Sequence, residues 1–399
     1  MMYLDDVENE EDEDFYFNLH QRSPSLWRKR WDSEYLRDLA QKENSFLGEY
    51  RMDPSSFDAL LQMLGPSLDV DNIMSGRAMS RCKSAEITAA SRLGAALIML
   101  GGGRQMEAMR THGISKSQAF TNLHKVVEAI NSCSALDIIF DKSEENLVEL
   151  ASGFQKRSDH NIFKKCVGAI DGLAIKIKCP RKSEVLNQSH YFSGSKKFYC
   201  LNMQAVCDGH CKFSVVSCRH VGSTNDAISF KSSSLKEINE SLPFPYHWVG
   251  DAAYVGTEQM IVPYEGINLH IQCPPKDWFN FWQSQVRITI ERCFGIFIAR
   301  WGIFWMCLLF NLRHSVAIVH ACCRLHNFLI ARKVPVRHVS RRPPVYAEVN
   351  DDGQLINDDW RDVRAAEDFT AEIRTGSTLR EHLLQHIIDN EYSHSRNIH

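Results

Sequence analysis

Lysine and arginine are missing from the first 14 residues, where eight acids stand instead. That is the reverse of a signal-peptide n-region, and no secretory leader is expected. Also lacking is an apolar run clean enough to cross a membrane. The longest, Cys293 to Phe310, carries Arg300 mid-way, and a central arginine costs a membrane helix about 3 kcal/mol. A buried core helix is expected there. Cysteine is sparse for a disulfide scaffold: 13 residues, about 3% of the chain, with no leader before them. A reducing compartment follows. With 21 glycines and 12 prolines in 399 residues, a collagenous or low-complexity chain is excluded. No Gly-x-Ser-x-Gly elbow occurs, which argues against a serine hydrolase. No Walker P-loop occurs, which argues against an NTPase, and no internal repeat is seen.

What is present suits a globular protein, with 44% hydrophobic and 24% charged residues to build and solvate a sizeable core. The net charge of −3 hides an uneven distribution. Residues 345–399 carry twelve acids against five arginines, so the body, 15–344, holds +12. Acidic ends around a basic body point to an anionic partner, DNA first; basic excess kept for solubility is the plain alternative.

Helical patterning comes first along the chain. Asp53-Pro54 supplies a cap and a first-turn proline before the stripe Phe57, Leu60, Leu61, Leu64, and Gly65-Pro66 is expected to stop that helix. A second helix is expected over about 84–100, broken by Gly101-Gly102-Gly103. A short helix, 104–110, a turn at His112-Gly113-Ile114, and Ser115-Lys116-Ser117-Gln118 as a capping box ahead of Phe120, Leu123, Val127 and Ile130 make a helix-turn-helix pattern. Lys116, Gln118, Asn122 and Lys125 would then be offered to DNA; an ordinary helical hairpin fits the same pattern. After about residue 160 strands dominate: 165–178 with a break at Asp171-Gly172, 199–206 and 213–221 around an Asp208-Gly209 turn, and 246–250. A helix with Ile290, Phe294, Phe297 and Trp301 on one stripe is expected over 284–303. Helices followed by strands and late helices define an α/β (α+β) fold class. The expected divisions are an acidic tail over 1–25, a helical DNA-binding region over 26–155, a catalytic domain over 156–335, and an acidic tail with a terminal helix over 336–399.

Three acids stand at expected element ends or on the late helix: Asp171 after Val167-Gly168-Ala169-Ile170, Asp251 after His247-Trp248-Val249-Gly250, and Glu291. Such carboxylates are hard oxygen ligands suited to Mg²⁺ or Mn²⁺, and without a cation they would raise one another's pKa. Surface and turn acids are the alternative, and spacing alone does not decide. Asp226, after Gly222-Ser223-Thr224-Asn225, reads either as a fourth metal-site acid or as a helix cap. Cys207, His210, Cys211 and Cys218 match no standard zinc finger, and a hairpin explains that segment better. His326 reads as a packed core histidine, and Arg287 with Glu291 as a plain i,i+4 surface pair.

The segments Ala169-Ile170-Asp171-Gly172, Tyr191-Phe192-Ser193-Gly194-Ser195-Lys196-Lys197, Leu201-Asn202-Met203-Gln204-Ala205-Val206, Gly222-Ser223-Thr224-Asn225-Asp226, Gly250-Asp251-Ala252-Ala253-Tyr254, Val262-Pro263-Tyr264, Glu291-Arg292-Cys293-Phe294-Gly295, Arg300-Trp301 and Cys322-Cys323-Arg324-Leu325-His326-Asn327 stand in the order found in PIF/Harbinger transposases, which this chain resembles over about 165–330. The helical region 50–130 resembles the family's N-terminal part. The resemblance implies an RNase H-like mixed sheet flanked by helices, a DDE triad at Asp171, Asp251 and Glu291, two Mg²⁺ or Mn²⁺ ions, and cleavage and rejoining of DNA at transposon ends. Lys196 and Lys197 are expected on the DNA backbone. A Myb/SANT-like accessory protein is implied as partner, a homo-oligomer is left open, and no membrane is expected. Since only Arg28-Lys29-Arg30 and Arg341-Arg342 could act as import signals, a nuclear protein that stays cytoplasmic without its partner is expected. The chain departs from the family at Leu173 and Ala174, where threonine then histidine is usual, at Asn225, usually histidine, and at Ile298, often lysine. A decayed or domesticated copy serving as a DNA-binding scaffold is therefore the rival reading.

Overall fold

The computed structural model describes residues 38, 46–68, 87–336 and 378–393. The acidic segment 1–25 and both short basic runs lie outside them.

Helices α1 (Phe46–Tyr50), α2 (Pro54–Leu68), α3 (Ala89–Leu100), α4 (Gln105–His112), α5 (Lys116–Ser132) and α6 (Glu144–Gln155) come first. The Asp53 carboxylate starts α2 by accepting from the Ser56 amide at 3.0 Å, in front of Pro54. Contrary to expectation, α2 does not stop at Gly65-Pro66. Pro66 lies inside the helix, and Leu64 and Leu68, one turn apart, are both buried. Burying Leu68 outweighs the single hydrogen bond that Pro66 forfeits so near the end. Gly101-Gly102-Gly103 does end α3. Gly102 has φ +87, and a Cβ there would stand 2.8 Å from the Gly302 carbonyl carbon, so two backbones meet where only glycine fits.

The sheet has six strands: β1 (Cys166–Lys176), β2 (Phe192–Ser193), β3 (Phe198–Cys207), β4 (Phe213–Val221), β5 (His247–Val249) and β6 (Met260–Ile261). β4, β3 and β1 form an antiparallel run, while β5 and β6 continue parallel to β1. β1 is thus central, with an antiparallel neighbour on one side and a parallel one on the other. It runs unbroken through Asp171-Gly172, where a break was expected, because Asp171 and Gly172 keep their register with Ala205 and Gln204 of β3.

Helices α7 (Asp226–Lys231) and α8 (Ser234–Glu240) precede β5, and α9 (Leu269–Gln272), α10 (Pro274–Arg300), α11 (Leu312–Ala331) and α12 (Thr378–Asp389) follow β6. One apolar layer joins Cys166, Ala169 and Val249 of the sheet to Val286, Ile290 and Phe297 of α10 and to the N-terminal helices. The other joins Val167, Ile170 and Trp248 to Leu147 of α6, Phe230 of α7 and Leu235 of α8. The result is the expected mixed α/β architecture, a mixed sheet flanked by helices on both faces. α10 begins ten residues before the expected start and ends at Arg300, so the apolar run 293–310 is not one helix. The Arg300 guanidinium is buried and donates to the Val334 carbonyl at 2.8 Å. Among the described residues no helix is long and apolar enough to cross a membrane.

Candidate active site

The parallel pairing of β1 with β5 aligns Ala169 with Val249. Two residues further along the chain in each case come Asp171, still within β1, and Asp251, just past the end of β5. β5 ends at Val249, so beyond that point β1 has an open flank. The burial of β1 changes there, from fully buried over Cys166–Ile170 to half-buried over Asp171–Ala174. The apolar halves of two parallel strands therefore pack in the core and deliver a carboxylate each to the mouth. α10 secures this edge: Gln283 donates its amide to the Gly250 carbonyl at 2.7 Å and to that of Ile261 at 3.2 Å.

Burial pushes the Asp171 carboxyl up to about 7, and the Asp251 and Asp226 carboxylates beside it push in the same direction. Asp251 is raised too, by burial first, then by Asp226, with Glu291 adding to it. Backbone amides partly offset this: Gly172 N–H donates to Asp171 at 2.7 Å and Ala253 N–H to Asp251 at 3.0 Å. Arg287 of α10 acts against the rise at both aspartates.

Asp226 reaches this group from the first turn of α7. It is not the cap of that helix. Asn225 takes that role, its side chain accepting from the Ile228 amide at 2.9 Å. The Asp226 carboxylate instead accepts from the amides of Gln204 at 2.6 Å and Asn202 at 3.1 Å, two β3 residues to which the sequence alone assigns no role. A Cβ on Gly172 would stand 2.4 Å from Asp226 Oδ1, so the glycine after Asp171 makes room for the third aspartate. Gly172→Ala is expected to push Asp226 aside at a cost of about 1–3 kcal/mol in stability and about 10–100-fold in any metal-dependent activity. Thermal melts and nicking rates check this, and unchanged values in both would remove Asp226 from the group.

Glu291 lies on the α10 side of the same edge, eight residues after Gln283. It is exposed and paired with Arg287, Nη1 to Oε1 at 2.6 Å. The donor set suits a divalent cation, being hard carboxylate oxygens whose mutual repulsion a cation would relieve. Asp171 and Asp251 are the two best placed to hold it. As the side chains stand, no three or more His, Cys, Asp or Glu among the described residues gather closely enough to hold a metal. Glu291 is turned to Arg287 and would have to turn inward, whereas Asp226 gives only its Oδ1 to the two amides.

The remaining sequence-marked residues are elsewhere. Gly113 (φ 58) ends α4 and Ser115 caps α5, accepting from the Gln118 amide at 3.2 Å. The capping box is not closed, since the Gln118 side chain donates to Asn122 at 2.8 Å. Lys116 and Lys125 are exposed and Gln118 is half-buried, but Asn122 is fully buried and has nothing to offer a duplex. The facing of α5 explains this: it packs against both α3 and α11, with Asn131 donating to the Ala317 carbonyl at 2.9 Å. Phe120, expected in the core stripe, is 36% exposed and rests edge-on against Phe310. Lys196 and Lys197 are exposed in the β2–β3 turn, Lys197 with φ 59. Asp208 organises the β3–β4 turn, accepting from the amides of His210 and Lys212, both at 2.8 Å. Cys207, Cys211 and Cys218 are buried free thiols. His326 is a core histidine bonded to the Cys211 carbonyl at 2.7 Å.

A mixed sheet that carries one acid within its central strand and another just past the neighbouring strand offers oxygen ligands at one edge, and the comparisons with known proteins bear on that segment. Residues 170–327, which include Asp171, Asp226, Asp251 and Glu291, match the family model described as DDE superfamily endonuclease. The chain is also similar to a curated protein of Arabidopsis thaliana named Protein ALP1-like, 26% identical over 258 residues. That alignment covers 60% of this chain and 60% of the relative, so the chain spans well under the relative's full length. No solved structure matches the chain. By these matches residues 170–327 are similar to DDE superfamily endonuclease domains.

Proposed function

We propose that the chain is a divalent-metal-dependent DNA endonuclease of transposase type, in the PIF/Harbinger manner, acting at transposon ends. The observation that carries this is the β1–β5 register, which brings Asp171 and Asp251 together at the open edge of the sheet with burial and charge both working against their ionisation. Asp171 and Asp251 bind the ions, Asp226 bears on both, and Glu291 completes the set on release from Arg287. Bound Mg²⁺ or Mn²⁺ would supply activation of a water or of a DNA 3′-hydroxyl as nucleophile and stabilisation of the leaving oxygen. The test is incubation of the purified chain with Mn²⁺ or Mg²⁺ and DNA carrying the ends of its own element: nicks at those ends support the reading. Intact DNA despite tight binding gives the rival, a DNA-binding scaffold, which the Arg287–Glu291 ion pair and the residues Leu173, Ala174, Asn225 and Ile298 favour.

DNA binding belongs to the same proposal, with α5 as its helix and Lys196 and Lys197 against the backbone. Lys116→Ala and Lys125→Ala are each expected to weaken duplex binding and to lower the salt slope by about one ion. A salt titration with an unchanged slope would leave α4 and α5 as a packed hairpin only. Nuclear accumulation through a Myb/SANT-like partner completes the reading. Co-expression with such a protein should move the chain from cytoplasm to nucleus.

A further inference from the structure

Asn202 and Gln204 are polar residues on one face of β3, in a run that is otherwise apolar. Gln204 is fully buried, yet every bond its amide makes is directed. Nε2 donates to Asp226 at 2.6 Å and to Asn202 Oδ1 at 3.0 Å, while Oε1 accepts from the Tyr254 hydroxyl at 2.7 Å. Tyr254, three residues after Asp251, is fully buried against Phe230 of α7. Burial and the nearby carboxylates hold its phenol protonated, so its O–H is available to donate to Gln204 Oε1. This fixes the amide: a flip would set Oε1 against the Asp226 carboxylate, acceptor to acceptor. Asn202 adds a second donor to the same Asp226 oxygen and ties itself to the Thr224 carbonyl at 2.9 Å. The chain of bonds thus runs from the segment that carries Asp251, through β3, to a carboxylate lying over Gly172 next to Asp171.

We propose that Gln204, oriented by Tyr254 and assisted by Asn202, is a positioning residue that aims Asp226 at the Asp171–Asp251 pair as a fourth acid of the metal centre. This rests on the metal-dependent reading above. A purely structural role would be served as well by apolar side chains, since a buried polar chain adds little net stability and costs much when incomplete. Here its terminal acceptor is a carboxylate already crowded by two others.

The test is Mn²⁺ binding to the full chain, by calorimetry and by the loss of free-ion paramagnetic resonance signal, with melting temperature alongside. Tyr254→Phe keeps the ring in the core and removes only the orienting hydroxyl. Gln204→Leu removes both amide ends, and Gln204→Glu places a fourth negative charge against Asp226. Tyr254→Phe and Gln204→Leu are expected to lower Mn²⁺ affinity about 10–100-fold, with Gln204→Leu adding little to an Asp226→Asn background. Wild-type affinity in Tyr254→Phe and in whichever Gln204 variant folds, with only the melting temperature lowered, would overturn the positioning role and leave the metal reading intact. A wild-type chain that binds no Mn²⁺ at all would overturn both.

Discussion

Asp171→Ala, Asp251→Ala and Glu291→Gln are each expected to abolish metal-dependent nicking while leaving duplex binding largely intact. Each substitution removes an oxygen ligand and no phosphate contact, so affinity for DNA should keep its salt dependence. The size follows from what bound ions contribute to a phosphoryl transition state, several kcal/mol of charge stabilisation. A loss of about 4 kcal/mol is about 10³-fold in rate. The three variants should not multiply, since removal of one ligand already dismantles the shared centre. Glu291→Gln is the most telling because that carboxylate rests on Arg287 at 2.6 Å. If Glu291 turns inward to ligate, Glu291→Gln falls with the aspartate variants. If the ion pair is its only occupation, Glu291→Gln nicks DNA like the wild type, and the centre is built from Asp171, Asp251 and Asp226 alone. Cleavage by Asp171→Ala at the wild-type rate would remove the proposed site altogether. The measurement is the initial rate of supercoiled-plasmid relaxation at saturating Mn²⁺, beside a filter-binding curve for each variant.

Much of this arrangement was legible in the sequence, and the parts that were not share a physical origin. Short apolar runs ending in an acid gave β1 and β5 together with Asp171 and Asp251. The Asp208 turn gave the β3–β4 hairpin. What a linear pattern cannot carry is partner choice across a sheet. The parallel register of Ala169 with Val249 aligns the two aspartates, and it depends on a crossover through β3, β4, α7 and α8. The break expected at Asp171-Gly172 failed for the same reason: glycine disfavours a strand locally, but the β3 register holds it and Asp226 needs its bare backbone. Asn202 and Gln204 could have been noticed as polar residues two apart in Leu201-Asn202-Met203-Gln204-Ala205-Val206, since a strand places them on one face. Asn122 erred the other way. A polar residue on a capped helix looked available, and the packing of α5 among its neighbouring helices buries it.

Asp171 should contribute a loss of stability to the metal-free protein as pH rises through the acid range, and Asp171→Asn should remove that contribution. Asp171 holds its proton to about pH 7 in the folded chain, against an ordinary value of 3.8. Between those values the folded state carries a proton that the unfolded chain has released, so unfolding gains on folding as pH rises. Below about pH 4 both states are protonated and no penalty exists; above about pH 7 it is complete. Three pKa units correspond to about 4 kcal/mol at most, and solvent screening at a half-buried carboxylate brings the expected value to about 2–4 kcal/mol. The amide introduced by Asp171→Asn would keep an oxygen to accept from the Gly172 N–H, so the substitution removes the charge and little else. Urea unfolding in chelator should then find Asp171→Asn more stable than the wild type by that amount at pH 8 and equal to it at pH 4. Saturating Mn²⁺ acts on only one of the two: at one hundred times its dissociation constant it adds about 2.7 kcal/mol to the protein that binds it, and it should leave Asp171→Asn nearly unmoved. A variant less stable than the wild type at both pH values would mean that Asp171 is held by contacts that its charge strengthens, and the crowded-carboxylate account of this edge would be wrong.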